Sequence, residues 1–472
     1  VKPCKFDYKT LDALAQDCRT RSLPIEFNED TGILYEPIEV NGRRVGNRLI
    51  IHPMEGSDAT LNGKPGELTF RRWRRFATGG AKMIWGEAAA VIPEGRSNPR
   101  QLLMIKPNVR EFSELLRQTR QAHRETFGGD SDFLVGIQLA HAGRHCFQKP
   151  AIAFHSPVHD RFTCLDKRTG QKIPGDYPVV NDVFLAALED DFVEAARSAR
   201  NAGFDFVDIK QCHSYLLNEL LAAHMRSGKY GGSFENRTRC VRNVTRKIKE
   251  ALGDDILLAS RLNVYDGIPH MKDAKTDAGT AVNDGLFWWR WGTDPTNSQK
   301  EDLSEPERLV EILFGHGLSL LSISAGSPYW SPHLVRPFSK PVDGGYASPE
   351  HPLEGVSRLF RLTEEMQKAF PHIPVAGSGY SWLRQFSLNA AAANVRAEKV
   401  SLVGFGRTAI AYPDFASDGR TREGMNPKKA CLADSMCSNM LRAWSKEKKE
   451  KIATGCPVRD SRYKEIYASF LK

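Results

Sequence analysis

Along the chain, short apolar runs rich in β-branched residues alternate with longer stretches whose apolar positions return every three or four residues. The short runs are RLIIHPM (48–54), AKMIWGEA (81–88), FLVGIQLAH (133–141), FDFVDIK (204–210), ILLASRLN (256–263), LSLLSISAG (318–326), IPVAGSG (373–379) and VSLVGFG (400–406). Their near-continuous apolar character predicts strands covered on both faces, as in a parallel sheet. The intervals 183–203, 238–253, 305–317 and 352–370 carry helical periodicity, and a Gly or Pro often closes them. Eight strand–helix units most simply close into a (β/α)8 TIM barrel of the α/β class. An open doubly wound sheet is the alternative, and the lack of G-x-G-x-x-G after the first strand disfavours it.

The barrel is expected over residues 31–420, with an amino-terminal extension at 1–30 and a carboxy-terminal extension at 421–472. Insertions interrupt the alternation at 145–182 and 264–304, and the Pro-, Gly- and Ser-rich segment 327–351 predicts a loop over the barrel mouth. Polar and glycine residues collect at the carboxyl ends of the strand runs, where a barrel builds its active site.

Composition narrows the function classes. With 41% hydrophobic and 26% charged residues the 472-residue chain reads as globular, and no apolar run is long enough to span a bilayer. The net charge of +9 suits anionic cofactors or acyl thioesters as well as nucleic acid. Nucleic acid is disfavoured because the basic residues form no block; even WSKEKKEKIATG from Trp444 mixes in Glu and reads as a solvated helix face. Nine scattered cysteines and an opening stretch without an apolar signal core predict a reducing cytoplasm.

Glycines at Gly377, Gly379 and Gly406, with Arg407, end the last two strand runs, where backbone N–H groups and a guanidinium suit a phosphate. Gln138 and His141 end the third run and Arg261 the fifth; an amide could grip the edge of an isoalloxazine, and a guanidinium could stabilise its reduced anion. Lys210, His213 and Tyr215 follow the fourth run within six residues. Two donors there could hold a carbonyl oxygen while a phenol supplies a proton to the neighbouring alkene.

These blocks, in this order, resemble the Old Yellow Enzyme family of NADH:flavin oxidoreductases. The similarity covers roughly residues 30 to 420 and rests on IIHPMEG, WGEAAAV, QLAHAGRH, HSYLLNELL, KYGGSFENRTR, SRLN, GSG and GFGRTAIAYPDF. The branch with 2,4-dienoyl-CoA reductase and trimethylamine dehydrogenase is the more similar one. The resemblance implies non-covalent FMN, lined by Pro53, Met54, Gly86 and Glu87, bound at its ring by Gln138 and Arg261 and at its phosphate by Gly377, Gly379, Gly406 and Arg407. It implies a ping-pong reaction in which hydride passes from NAD(P)H through FMN to a β-carbon while Tyr215 protonates the α-carbon. A homo-oligomer acting on a small molecule is expected, with neither nucleic acid nor membrane as partner.

The chain departs from the family pattern in places. Lys210 stands with His213 where a His–His or His–Asn pair is usual, Ser214 replaces a Gly in a crowded turn, and Glu55 replaces a small neutral residue. In the more similar branch four cysteines after the barrel bind a [4Fe–4S] cluster; here Cys431, Cys437 and Cys456 remain, with Asp434 where the second Cys is expected. Cluster sites ordinarily use four thiolates, so the cluster is expected to be lost or labile rather than present. The leading expectation is an ene-reductase acting on a conjugated carbonyl or acyl thioester. Behind it stand an amine or alcohol dehydrogenase passing electrons to a partner and, from another class, a Schiff-base lyase using Lys210.

Overall fold

The computed structural model describes residues 4–471 except 157, 167–168, 283–289, 298, 422 and 445–450. The basic segment after Trp444 therefore falls largely outside the described residues.

Eight parallel strands close on themselves. In chain order they are β1 (Leu49–Ile51), β2 (Met83–Ala90), β3 (Leu134–Ala140), β4 (Phe206–Ile209), β5 (Leu257–Tyr265), β6 (Leu318–Ala325), β7 (Val375–Gly377) and β8 (Leu402–Phe405). Each pairs with its neighbour in sequence, and β8 pairs with β1 through Val403–Leu49 and Phe405–Ile51, which shuts the barrel. All eight apolar runs thus became barrel strands. Seven helices cross between them: α1 (Glu67–Thr78), α2 (Val109–Phe127), α3 (Asp182–Ala202), α4 (Arg239–Leu252), α5 (Ser304–Gly315), α6 (Pro352–Ala369) and α7 (Ser387–Arg396).

Local chemistry sets the helix ends. The Asn181 side chain accepts the Phe184 N–H at the start of α3, and Gly203 at φ 100° ends it in a left-handed turn that a side chain would strain. Pro352 opens α6, where its missing N–H is no loss.

Two apolar layers follow from the pleat. Ile50, Met83, Trp85, Leu134, Phe206, Leu257, Ala259, Leu320, Ala376 and Leu402 fill the barrel interior. A hairpin of Ile38–Val40 and Arg43–Val45 supplies Val40 and Val45 to the same cluster and plugs the amino-terminal end. The alternate residues pack outward on the helices. Both flanking extensions lie on the barrel. Phe6 packs edge-on to Trp382, while Asp460 in the tail accepts from Arg71 on α1 at 2.8 Å.

Candidate active site

The loop after β4 holds the densest chemistry. His213 and Ser214 both take the left-handed conformation, φ 64° and 59°, which costs side-chain-bearing residues about 1–2 kcal/mol each. The following helix, Leu216–Leu221, offsets this. Asn218 accepts the Ser214 N–H at 2.7 Å, and Leu216 N–H donates to the carbonyl of His141 at 3.0 Å. Glu219 accepts from the buried Arg144 at 2.5 Å and from the Ala153 N–H at 2.9 Å. The polar pair inside LLNELL therefore fixes the turn that aims the three candidate side chains. The YGGSFENRTR stretch supports the same helix from behind: Arg237 donates to the Leu221 carbonyl at its end.

Within that turn Lys210, His213 and Tyr215 come together. The Lys210 ammonium sits 3.7 Å above the Tyr215 ring, and both residues are nearly inaccessible, at 6% and 3%. His213 Nε2 lies 3.1 Å from Ser324 Oγ at the end of β6. Burial and the neighbouring Arg261 and Lys210 charges hold its imidazole well below the usual range, so the ring is neutral at pH 7. Burial raises the Tyr215 phenol well above its ordinary value, which keeps the proton in place until something basic arrives; its hydroxyl interacts with Tyr329 and Ser97.

The candidate ring-binding groups share one hidden anchor. Asp208 on β4 accepts from Trp85 Nε1 and Gln138 Nε2, each at 2.6 Å, and from the Arg261 N–H at 2.7 Å. All three are donors. The carboxylate is therefore ionised in spite of the burial that pushes its pKa up. It orients the Gln138 amide so that its oxygen is left to accept from a bound ligand. Arg261 Nε, by contrast, is buried without a partner.

Pro53 and Met54 are half-buried just past β1, and a side chain at Gly406 would collide with the Met54 sulfur, so the β1 and β8 turns touch. Beneath them His52, buried, lies 3.3 Å from Ser322 Oγ. Gly379 adopts φ 100°, and a side chain there would be strained. Gly377 faces Val400 and Thr363 in the helix layer, and Gly86 faces the Gly136 carbonyl and Trp73, so both can meet a ligand only through backbone. Glu87 turns the same way. A register shift between Trp85 and Ala88 sends its carboxylate outward to Arg72, Trp73 and the Gly56 N–H, away from the barrel mouth.

Arg407 donates to the Pro337 carbonyl at 2.7 Å, while its Nη1 and the Thr408 hydroxyl are buried with no partner. The orphaned donors of Arg261 on β5 and Arg407 after β8, left-handed Gly379 and the Gln138 amide fit a flavin mononucleotide. On the loops after β3, β5 and β6 a cavity of about 300 Å³ is lined by Tyr329, Arg336, Phe338, Tyr346 and, from the tail, Arg442.

The tail residues gather too. Cys431, Asp434, Cys437 and Cys456 line one narrow crevice with Arg407, and the Ala433 N–H donates to Cys431 Sγ at 3.4 Å. Burial pushes the Cys431 thiol up to about 11 and Cys456 to about 12. Among the described residues no group of three or more His, Cys, Asp or Glu side chains is arranged to hold a metal ion. A carboxylate where one of the four thiolates would stand does not fit a four-thiolate cluster, and no chemistry is assigned through one.

Sequence reasoning missed Asp208, His52, Ser324 and Tyr329. An acidic residue inside an apolar strand run was the one visible signal for Asp208; the others needed the assembled barrel.

Comparison with known proteins agrees with this fold. The chain is similar to the NADPH dehydrogenases of Bacillus subtilis (strain 168), 26% identical over 55% of this chain and 69% of that protein, and of Bacillus pumilus (strain SAFR-032), 31% identical over 46% and 60%. Among solved structures it shares its fold with a 2-naphthoyl-CoA reductase at TM-score 0.67 and 16% identity, covering 93% of this chain and 58% of that one. The Old Yellow Enzyme homologue from Zymomonas mobilis also shares it, at TM-score 0.56 and 19% identity over 84% and 94% of the chains, as does morphinone reductase at 0.58 and 19% over 84% and 92%. The model of the NADH:flavin oxidoreductase / NADH oxidase family matches residues 33–283, more than half of the chain, and with the closed barrel this shows that the chain belongs to that family of FMN-dependent oxidoreductases.

Proposed function

We propose that the protein is an ene-reductase that takes reducing equivalents from NAD(P)H and saturates a C=C bond conjugated to a carbonyl. Bound FMN supplies the two-electron hydride relay. Gln138 and Arg261 hold its ring edge, Gly377, Gly379, Gly406 and Arg407 its phosphate, and Pro53, Met54, Gly86 and Glu87 contribute backbone along its flank.

The observation that carries this reading is the trio after β4. Lys210 and His213 share one turn, where they would give two donors to one acceptor oxygen, and the Tyr215 ring lies 3.7 Å below the Lys210 ammonium with its phenolic proton retained by burial. Donors aimed at an oxygen that gains charge lower the barrier to hydride arriving at the β-carbon. Tyr215 then gives its proton to the α-carbon, and the Tyr329 and Ser97 hydroxyls beside it offer a path for replacement.

The test separates the two half-reactions in stopped flow without air. Tyr215→Phe should leave reduction of the flavin by NADPH within about twofold of wild type and slow its reoxidation by an enone by about 100-fold or more. Equal losses in both halves would remove Tyr215 from proton transfer.

A further inference from the structure

Resting on the reading that NAD(P)H reduces the flavin, we infer that the cavity on the loops after β3, β5 and β6 is a second phosphate site. There Arg336 and Arg442 bind the 2′-phosphate of NADPH and make it the preferred reductant over NADH. The cavity measures about 300 Å³, and its charged lining residues are Lys272, Arg336 and Arg442. Among the described residues no Asp or Glu lines it. Lys272 is neutralised by Asp277 at 2.9 Å. The two arginines have only neutral partners: Arg336 donates to Ser435 Oγ at 3.3 Å and Arg442 to the Pro328 carbonyl at 3.2 Å.

The positive charge is concentrated here. Burial, with the charges of Arg407 and Arg442, pulls the Arg336 pKa down to about 10, so it remains a cation at pH 7. Like charges gathered in a concave wall that lacks carboxylates set up a field that draws in an anion. The residues assigned to the FMN phosphate, Gly377, Gly379, Gly406 and Arg407, do not line this cavity, so a second anion has its own place.

The rest of the wall describes the rest of the ligand. Phe162, Tyr329, Phe338 and Tyr346 supply ring faces against which an adenine can stack. A phosphomonoester carries more than one negative charge at pH 7 and accepts paired N–H donors from a guanidinium. NADPH and NADH differ by this group alone. Tyr329 joins the cavity to the catalytic turn, because its hydroxyl interacts with that of Tyr215 while the residue also lines the cavity. A nicotinamide set over the flavin beside Tyr215 has its ribose and diphosphate led past Tyr329 toward Arg336 and Arg442.

Adenosine 2′,5′-bisphosphate and 5′-AMP are matched probes for the FMN-loaded protein, since they differ by the 2′-phosphate. Calorimetry should give the bisphosphate at least about 30-fold higher affinity, an advantage that shrinks as salt rises. Arg336→Leu and, at an exposed position, Arg442→Leu should each remove about tenfold of it, and Arg442→Lys should retain most. Equal binding of the two probes by the unmutated protein overturns the inference whatever the variants do. Tighter binding of the 3′,5′ isomer overturns it too, by assigning the cavity to a different phosphoadenosine. In stopped flow, NADPH should reach its half-maximal rate of flavin reduction at a concentration at least about tenfold below that of NADH, and Arg442→Leu should close the gap by raising the NADPH value. Flavin reduced alike by both nucleotides sinks the phosphate site and leaves the ene-reductase reading intact. Failure of an enone to reoxidise dithionite-reduced protein sinks that reading by itself, independently of nucleotide binding.

Discussion

Asp208 is the group through which a purely structural change should reach the cofactor. Both Trp85 Nε1 and Gln138 Nε2 use its Oδ2, and the Arg261 N–H uses Oδ1. Asp208→Asn keeps the shape but leaves one oxygen for two separate demands. In the better orientation the new amide N–H₂ opposes the Arg261 N–H, so one charge-assisted bond is lost and a buried donor is stranded. The two surviving bonds become neutral ones. The loss is worth about 3–5 kcal/mol before relief of the carboxylate's desolvation, which returns part of it, leaving about 2 kcal/mol of net destabilisation. Gln138 also loses its fixed orientation, and affinity for FMN should fall about tenfold. Thermal unfolding of the apo-protein and titration with FMN, followed by quenching of flavin fluorescence, measure the two effects. If Asp208 acts on FMN through Gln138, then Gln138→Leu and the double variant should bind FMN equally weakly. Independent, additive losses would refute the anchor argument, and so would an Asp208→Asn protein indistinguishable from wild type.

Three further outcomes follow from the same structure. Ser214→Gly removes a side chain from a left-handed position at φ 59°, and urea unfolding should show a gain of roughly 0.5–1 kcal/mol; no gain would mean the Asn218 contact already absorbs the strain. Asp266, raised to about 6 chiefly by burial, binds its proton more tightly folded than unfolded. Its contribution is therefore most favourable below the unfolded value near 3.9 and declines by about 3 kcal/mol as pH climbs to 6, so unfolding midpoints of wild type and Asp266→Asn from pH 4 to 7 should diverge in that window and run parallel above it. Removing the buried guanidinium that pairs with Glu219, as Arg144→Met, should cost about 3–5 kcal/mol by chemical denaturation and disorder the turn that carries Lys210, His213 and Tyr215; a smaller loss would show the helix held by its leucines alone.

Much of this molecule is written locally. A strand covered on both faces must be apolar throughout, and a helix lying on it must repeat its apolar face every three or four residues, so the eight units could be read from pattern alone. The placement of the chemistry could be read as well, because side chains at the carboxyl ends of barrel strands have one mouth to face. Lys210, His213 and Tyr215 lie within six residues, and their meeting is nearly a matter of chain length.

What the pattern did not carry is which way certain groups turn. Glu87 lies in a strand run beside residues that face the barrel, yet a bulge between Trp85 and Ala88 rotates it toward Arg72, and a bulge depends on the neighbouring strand rather than on the residues themselves. Asp208 could be ionised inside the barrel only because donors from three different strands converge on it. Cys431, Cys437 and Cys456 reach one crevice with Arg407 because the tail folds back onto the barrel. Local periodicity records whether a position is dry; the direction and pairing of a polar group in a dry place are settled by partners far away in the chain, and only the closed barrel brings them together.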